Sequence, residues 1–339
     1  MFRTAALGFL LLATPAAGDP AVGQVVTFRD WAVGCDNTDF CAAYGLRADE
    51  GTDGYLLLRR MAGPDAAATV SLFATAPDGM TAPEMRVEIP GGFGPRSYPV
   101  EGGYPYLTAE VPPEDIDGLI RALATGARLV LTVVDGGRTS EPVSLSLSGS
   151  SAALLYLDDR QGRVGTVTAL LRPGAGDALL VPPPPVAPPV ARRRMTEIDP
   201  VPPPPPGLAA SGDPSCAEIG PLAFDLGAGA TLWGLCEIAA AYNTAFRFWL
   251  VDAAGVRPAA FIPPGRVVDD PAVLVSPALD ADGLGLDALN LGRGVGDCGD
   301  QSDWGWTGER FALLRYREFE ICAGVLVETW PVLWQTTTP

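Results

Sequence analysis

Hydrophobic and polar residues alternate in short runs along the first 150 residues. From Val25 to Cys35 the alternation places Trp31, Val33 and Cys35 on one face, which is typical of a half-buried strand. Similar runs predict further strands at Tyr55 to Leu58, Thr69 to Phe73, Met85 to Ile89 and Leu129 to Val134.

Two other segments of this region have helical spacing. The first opens at Pro112-Pro113-Glu114-Asp115, and proline followed by acidic residues suits the first turn of a helix. The second begins at Ser150 or Ser151, which can cap it, and runs toward Asp159. The predicted core-facing residues of the first helix, which Gly126 can close, are Ile116, Leu119, Ile120 and Leu123.

The last 130 residues alternate in the period of strands and contain little helical pattern. Phe246, Phe248 and Leu250 share one face of a predicted strand, and Phe311 and Leu313 share one face of another. The tripeptide Thr307-Gly308-Glu309 predicts a turn ahead of the second strand. We therefore expect a compact antiparallel β domain here.

Two proline blocks, Pro182 to Pro185 and Pro202 to Pro206, flank Arg192-Arg193-Arg194. This composition favours polyproline II at about 3.1 Å per residue and predicts a semi-rigid spacer. The alternatives are that the prolines dock in a proline-recognition groove or that the arginines bind anionic lipid. The predicted fold is mainly β with a few helices: two antiparallel, sandwich-like domains at 19–180 and 211–339, joined by a proline-rich linker at 181–210.

The first 18 residues have the features of a secretory signal peptide. Arg3 precedes the apolar run from Ala5 to Ala13, and the small residues Ala16 and Gly18 suit cleavage before Asp19. The run is shorter than the ~18 residues that a membrane span needs, and no cysteine for lipid attachment lies near the cleavage point. A periplasmic or secreted, soluble protein is expected.

The charge and the basic residues limit the partners and the chemistry. The net charge is -17, and it becomes more negative when Arg3 is removed, which opposes binding to nucleic acid or anionic lipid. There is no histidine, and all 23 basic residues are arginine, which excludes histidine relays, Schiff bases and a P-loop lysine. A GC-rich genome accounts for this bias without any functional selection. No cofactor is expected.

Six cysteines in an exported chain indicate disulfides. We expect three pairs that are local in sequence, although six cysteines allow about 15 connectivities. A zinc site is the weaker interpretation, because the chain has no C-x-x-C motif and no histidine. The expected pairs are Cys35 with Cys41, Cys216 with Cys236, and Cys298 with Cys322.

Several motifs together resemble the domain of unknown function 1176 family. The C-terminal motifs are the more specific, and they resemble the end of that family in order and spacing. The resemblance implies an exported protein of Gram-negative bacteria, and it assigns no activity, ligand or catalytic residue. The motifs are Trp31-Ala-Val-Gly-Cys35-Asp-Asn37, Asp158-Asp-Arg-Gln161-Gly162-Arg163-Val-Gly165, Ala241-Tyr242-Asn243, Gly292-Arg293-Gly294-Val-Gly296-Asp297-Cys298-Gly299, Trp304-Gly-Trp306-Thr-Gly308, Cys322-Ala-Gly324 and Trp330-Pro331.

The N-terminal half also resembles the invasion-associated locus B proteins. The resemblance lies in Trp31-x-x-x-Cys35 and in the helix after Ser148-Gly149. It implies a β-sandwich-like domain that acts at the cell surface, but a shared fold does not transmit activity.

The segment from Gly292 to Trp306 is the richest in residues that bind ligands. Tryptophan faces can stack on sugar rings, while carboxylates and arginine can hydrogen-bond to sugar hydroxyls. In the alternative interpretation, the tryptophans fill the core and Arg293 pairs with Asp297 to hold the loop. The candidate ligand-binding residues are Arg293, Asp297, Asp300, Asp303, Trp304 and Trp306.

Three smaller polar groups are better explained by local structure. Asp280-Ala-Asp282-Gly283 begins like a calcium loop, but Leu291 stands where an EF-hand needs a carboxylate, so a hairpin turn is expected. Asp36 and Asn37 suit a capped tight turn. Gly162 suits the end of the second helix, and Gln161 and Arg163 are either structural or face a ligand.

These features favour a non-enzymatic envelope protein that binds an unidentified protein or glycan. A carboxylate-dependent glycosidase is the main alternative, because glycoside hydrolysis needs neither histidine nor lysine. A structural spacer in the envelope is the third candidate function, and it is favoured if neither domain has a concave pocket. Two carboxylates facing each other across a cleft would support the enzyme.

Overall fold

The computed structural model describes residues 20–49, 51–103, 105–208 and 211–339. The predicted signal peptide, residues 1–18, lies outside the described residues. Within them the fold is mainly β, as predicted, with all strand pairs antiparallel and two α-helices. No helix in this part of the chain is long and apolar enough to cross a membrane.

Two sheets build the N-terminal half. One has seven strands in the order β1-β2-β3-β4-β5-β9-β8, and the other has five, in the order β11-β10-β6-β7 with β12 beside β10. The strands are β1 Val25–Phe28, β2 Trp31–Cys35, β3 Cys41–Gly45, β4 Gly54–Arg60, β5 Ala68–Thr75, β6 Glu84–Ile89, β7 Phe93–Pro99, β8 Glu101–Gly103, β9 Tyr106–Glu110, β10 Arg128–Asp135, β11 Arg138–Thr139 and β12 Val143–Ser146.

The two helices close the core between these sheets. Helix α1 is Pro113–Thr125 and helix α2 is Ser150–Arg160, so both predicted helices are confirmed within a residue or two at each end. Leu119 and Leu123 of α1 and Leu154 of α2 are fully buried against the inner faces of the sheets. Three 3-10 helices occur elsewhere, at Ala178–Leu180, Pro214–Cys216 and Val327–Thr329.

Two further sheets build the C-terminal half. One is ordered β13-β14-β15-β16-β17 with β18 beside β16, and the other is ordered β19-β20-β21-β22-β23. Their inner faces enclose a second core, which includes Phe248, Trp304 and Trp306. The strands are β13 Thr196–Glu197, β14 Leu222–Gly227, β15 Ala230–Ala239, β16 Thr244–Asp252, β17 Gly255–Pro258, β18 Val273–Val275, β19 Pro277–Leu279, β20 Leu286–Leu291, β21 Gly299–Trp306, β22 Phe311–Phe319 and β23 Val332–Gln335.

A third apolar cluster joins the two halves. The outer face of the seven-stranded sheet contacts the end of β22 and the segment after it, and the ring of Tyr44 lies 4.8 Å from that of Phe319. The hydroxyl of Tyr55 lies 2.8 Å from Oγ1 of Thr329, and Trp330 is 2% exposed. The sequence indicated cores within each half, but it did not indicate this contact between them.

The proline-rich segment lies on the folded protein instead of extending away from it. Pro182 packs over Gly162, whose positive φ ends α2 as predicted. Further along, the backbone N–H of Arg193 donates to the carbonyl of Trp306 at 2.7 Å, and Met195 is 1% exposed. The prediction of an extended spacer is therefore wrong, because these backbone and apolar groups find partners on the sheets.

The three predicted disulfides are present. Cys35 pairs with Cys41 across the β2–β3 turn. The other bonds join Cys216 to Cys236 and Cys298 to Cys322.

Candidate functional site

A cavity of about 280 Å³ opens in the C-terminal half, which we call the C-terminal cavity. The inner face of β20, β21 and β22 forms one wall, and β18 and the loop before it form the other. Its volume is near the lower end of the range for small-molecule sites, about 300 to 1,000 Å³. The lining residues are Phe261, Pro263, Arg266, Val267, Val268, Asp270, Val273, Leu274, Val275, Ala288, Asn290, Asp300, Ser302, Trp304 and Tyr316.

A row of three polar residues crosses the strand wall. Asn290, Asp300 and Glu318 are register partners on β20, β21 and β22, so their side chains project to the same face. The amide of Asn290 donates to Oδ1 of Asp300 at 2.9 Å. No hydrogen bond from the described residues reaches Oδ2 of Asp300, which therefore remains available to a ligand.

Arg266 fixes the neighbouring end of this row. Its guanidinium donates to both carboxylate oxygens of Glu318, at 2.9 and 2.8 Å, and lies 4.6 Å above the ring of Tyr316. The hydroxyl of Tyr316 donates to Glu318 at 3.0 Å. The two hydrogen bonds from Arg266 therefore balance the negative charge of Glu318.

Asp300 is the lining carboxylate without a cationic partner in contact. Burial raises its pKa, the hydrogen bond from Asn290 offsets part of this rise, and the nearby carboxylate of Glu318 adds to it. Asp270 on the opposite wall differs, because Arg247 donates to its Oδ2 at 2.7 Å and the backbone N–H of Ala272 donates to its Oδ1. The unpaired negative charge at the cavity is therefore that of Asp300.

Two of the six predicted ligand-binding residues brace a loop. Nε and Nη2 of Arg293 donate to the two carboxylate oxygens of Asp297, and Nη2 also donates to the carbonyl of Cys322 at 2.9 Å. The backbone N–H of Gly324 donates to Asp297 at 2.7 Å. Burial raises the pKa of Asp297, but the hydrogen bonds from Arg293 and Gly324 outweigh it, so the pKa lies below its ordinary value.

Trp304 and Trp306 lie in the core between the C-terminal sheets. They are 2% and 3% exposed, and Phe261 packs edge-on against Trp304 at 5.4 Å between ring centroids. Trp304 is also one of the lining residues of the cavity. Both tryptophans therefore fill the core, as in the alternative interpretation of the sequence. Neither ring offers an open face to a sugar.

Asp303 lies on the opposite face of β21 from Asp300, because side chains alternate along a strand. Its register partners are Asp287 and Arg315. Burial and the adjacent Asp287 carboxyl raise the pKa of Asp303 to about 7. Of the six predicted residues, the structure therefore brings only Asp300 and Trp304 to the C-terminal cavity.

The smaller polar groups of the sequence have local structural roles. Asp280 and Asp282 accept from the backbone N–H of Leu284 in the β19–β20 turn, as the hairpin interpretation predicted. Asp36 accepts from the backbone N–H groups of Thr38 and Phe40, which confirms the capped turn.

Gln161 and Arg163 are also structural. Gln161 is 3% exposed and Arg163 is fully buried. The amide of Gln161 donates to two backbone carbonyls, and its oxygen accepts from Arg163 at 3.0 Å.

Among the described residues, one group of carboxylate and thiol side chains is close enough to hold a metal. It consists of Asp297, Cys298 and Cys322. The two sulfurs are joined in a disulfide, which removes the thiolates that a metal would need.

Most residues of the cavity have no signal in the sequence. Arg266 and Tyr316 lie on segments far apart in the chain, and neither stood out in a motif. Strict alternation along β22 would place Tyr316 on the face opposite Leu313. A β-bulge, in which Leu314 is the extra residue, instead turns Tyr316 to the inner face, where its register partner is Ser302. The cavity therefore depends on how distant strands and loops come together in the fold.

Comparison with known proteins agrees with the motifs. The family model described as "Protein of unknown function (DUF1176)" matches residues 25–337. The "Uncharacterized protein YpfG" of Escherichia coli (strain K12) is 29% identical over 334 residues, covering 91% of this chain and 92% of that protein. Among solved structures, the invasion associated protein b of Bartonella henselae matches at 17% identity, with a TM-score of 0.31, 41% of this chain covered and 99% of that chain. Because the family model spans nearly the whole described chain, this protein belongs to the DUF1176 family.

Proposed function

We propose that this chain is a non-enzymatic binding protein of the bacterial envelope, which holds a small amine-bearing or hydroxylated ligand in the C-terminal cavity. The observation that carries the proposal is Asp300, a desolvated carboxyl whose Oδ2 is free of hydrogen bonds from the described residues. A site with a few fixed polar groups in an otherwise apolar cleft is the usual design for a small ligand.

The charges favour a ligand that donates hydrogen bonds. Arg266 is neutralised by Glu318, and Asp270 is neutralised by Arg247. An ammonium or hydroxyl group would therefore meet Asp300 as its acceptor, while Phe261 and Val273 supply apolar contact. A charge-assisted hydrogen bond of this kind is worth about 1.5 to 3 kcal/mol.

The same geometry supports binding over glycoside hydrolysis. A glycosidase needs two available carboxyl groups on either side of the scissile bond. Here Asp300 and Glu318 are neighbours on one wall, and both oxygens of Glu318 are bonded to Arg266. A purely structural spacer is less favoured, because the chain contains concave cavities and its proline-rich segment lies on the sheets.

The envelope location is supported by the leader-like first 18 residues and by the three disulfides. Disulfides persist in oxidising compartments such as the periplasm. Fractionation of the native host, followed by intact-mass measurement, tests the location: a periplasmic form that begins at Asp19 is expected, and a protein that retains Met1 in the cytoplasm would contradict it.

The binding proposal is tested by calorimetric titration of the purified protein with glucosamine, glucose and putrescine at pH 7.5. We expect Asp300→Asn to weaken binding of the amine-bearing ligands by about 10- to 100-fold, because it removes the charge but keeps the size of the side chain.

The matched control is Asp303→Asn, which changes the same residue type three positions away on the opposite face of β21. It should leave the affinities unchanged. Equal binding by the wild type and the Asp300 variant, or failure of all three ligands to bind, would contradict the proposal.

A further inference from the structure

The N-terminal half contains a second and larger cavity, of about 470 Å³, which we call the N-terminal cavity. It lies between one face of α1, the loop after β4, and the segment that follows α2. Its lining includes Arg60, Ala68, Ile116, Ile120, Leu170 and Leu171.

Arg60 is the charged group inside this cavity, and its side chain is 6% exposed. Its Nε donates to the carbonyl of Ala66 at 3.0 Å, and its Nη1 donates to the carbonyl of Thr168 at 2.9 Å. Its Nη2 makes no hydrogen bond to any described residue. A buried arginine that lines a cavity with one branch unpaired has donors available for a ligand.

The buried charges around Arg60 do not balance. Arg60, Asp158 and Arg163 are 6%, 1% and 0% exposed, so two arginines surround one aspartate. Asp158 lies 3.5 Å from Arg60, and its other oxygen accepts from the backbone N–H of Leu170 at 2.7 Å. Burial and the nearby Arg163 lower the pKa of Arg60 to about 10.

The buried group therefore has one excess positive charge, and Nη1 of Arg163 also lacks a partner among the described residues. A single negative charge placed at Nη2 of Arg60 would neutralise the excess, since buried charges are stable only when they are paired. Asp65, Asp117 and Arg121 at the rim are exposed, and solvent screens them.

Apolar side chains line part of the cavity beside Arg60. They are Ile116 and Ile120 of α1, Ala68 of β5, and Leu170 and Leu171 after α2. Val167 at the edge is 55% exposed. These side chains favour a hydrocarbon group, because each methylene that is removed from water adds to the binding free energy.

We propose that the N-terminal cavity binds a monoanionic amphipathic carboxylate, whose carboxylate pairs with Nη2 of Arg60 and whose hydrocarbon chain lies between α1 and the segment after α2. This site is separate from the C-terminal cavity and does not depend on the function proposed for it. The ligand class follows from a guanidinium branch of Arg60 that makes no hydrogen bond to the described residues, combined with the apolar side chains along the cavity.

The test is calorimetric titration of the full chain with octanoate, acetate and 1-octanol. Octanoate should bind at least tenfold more tightly than either acetate, which lacks the chain, or 1-octanol, which lacks the charge. Arg60→Gln should weaken octanoate binding at least tenfold. Arg59→Gln is the matched control, because Arg59 is the preceding residue of β4 and faces the other side of the sheet, where it donates to Ser71.

A second pair of variants keeps the proposal testable if Arg60→Gln fails to fold. Val167→Glu should weaken octanoate binding about threefold and Val167→Lys should strengthen it about threefold, because the exposed edge then repels or attracts the anion. Equal affinities of the two Val167 variants, equal binding of octanoate and 1-octanol, or wild-type affinity in a folded Arg60→Gln protein would each overturn the proposal.

Discussion

Asn37 and Gln335 exchange two hydrogen bonds although they are 298 positions apart in the chain. The amide of Asn37 donates to the carbonyl of Gln335 at 3.0 Å, and the backbone N–H of Gln335 donates to Oδ1 of Asn37 at 2.8 Å. The side chain of Gln335 also donates to Asp36 at 2.6 Å. The β2–β3 turn, which the Cys35–Cys41 bond closes, is thereby attached to the last strand.

Asn37→Ala should lower the free energy of unfolding by about 1 to 3 kcal/mol, because it leaves the backbone N–H and carbonyl of Gln335 without their partner. Urea denaturation followed by tryptophan fluorescence measures this. Thr69→Ala, at an exposed position of β5, should change stability by less than about 0.5 kcal/mol. A loss of less than about 0.5 kcal/mol in the Asn37 variant would show that the contact between Asn37 and Gln335 contributes little to stability.

The shared cluster of Tyr44, Phe319 and Trp330 predicts that the halves stay together after the chain is cut. Limited trypsin digestion at the exposed Arg193 and Arg194 should give one peak in native gel filtration. The same sample should separate into two pieces in denaturing electrophoresis without reductant, because each disulfide lies within one half. Two native peaks, or pieces joined until thiol is added, would contradict this.

Local features of the fold could be predicted because they are set by residues close in sequence. Helix α1 depends on the helical spacing of its apolar residues and on the prolines at its start. The Thr307-Gly308-Glu309 turn likewise depends on a few neighbouring residues. The cysteine pairs were likewise local. These elements match the structure within a residue or two at their ends.

The candidate site could not be predicted in the same way, because its residues meet through the pairing of strands. Asp300 and Asp303 are equivalent in a list of acidic residues, but the period of β21 sends them to opposite faces. The partner that neutralises Glu318, Arg266, comes from a loop 52 positions away. The position of the proline segment was missed for the same reason, since its contacts are with distant sheets.

Trp304→Ala should lower the free energy of unfolding by about 3 to 5 kcal/mol, because the side chain is enclosed by the C-terminal core. Its indole N–H donates to Oγ of Ser302 at 2.9 Å, so the variant also leaves a polar partner behind. Thermal unfolding measures the loss. A cost below about 1 kcal/mol would mean that the ring is exposed and available to a ligand.

The Asp287–Asp303 pair predicts a pH dependence of stability on the outer face of β20 and β21. The pKa of Asp303 rises from its ordinary value of 3.8 to about 7, first through burial and then through the Asp287 carboxyl, against the opposing effect of Arg315 and Arg317. Between about pH 4 and pH 7 the folded protein therefore binds more protons than the unfolded chain. Stability from this pair is fully present below pH 4 and declines as the pH rises to 7.

Asp303→Asn keeps a neutral side chain at every pH, so it should remove this decline. We expect its stability relative to the wild type to be about 1 to 3 kcal/mol more favourable at pH 8 than at pH 4.5. Asp135→Asn is the control and should show no such difference, because backbone hydrogen bonds from Thr81 and Ala82 lower the pKa of Asp135, so this carboxyl is mostly ionised in both the folded and the unfolded chain at the two pH values. Urea titrations of the three proteins at both pH values test this prediction. Parallel profiles for the wild type and the Asp303 variant would show that folding does not raise the pKa of Asp303.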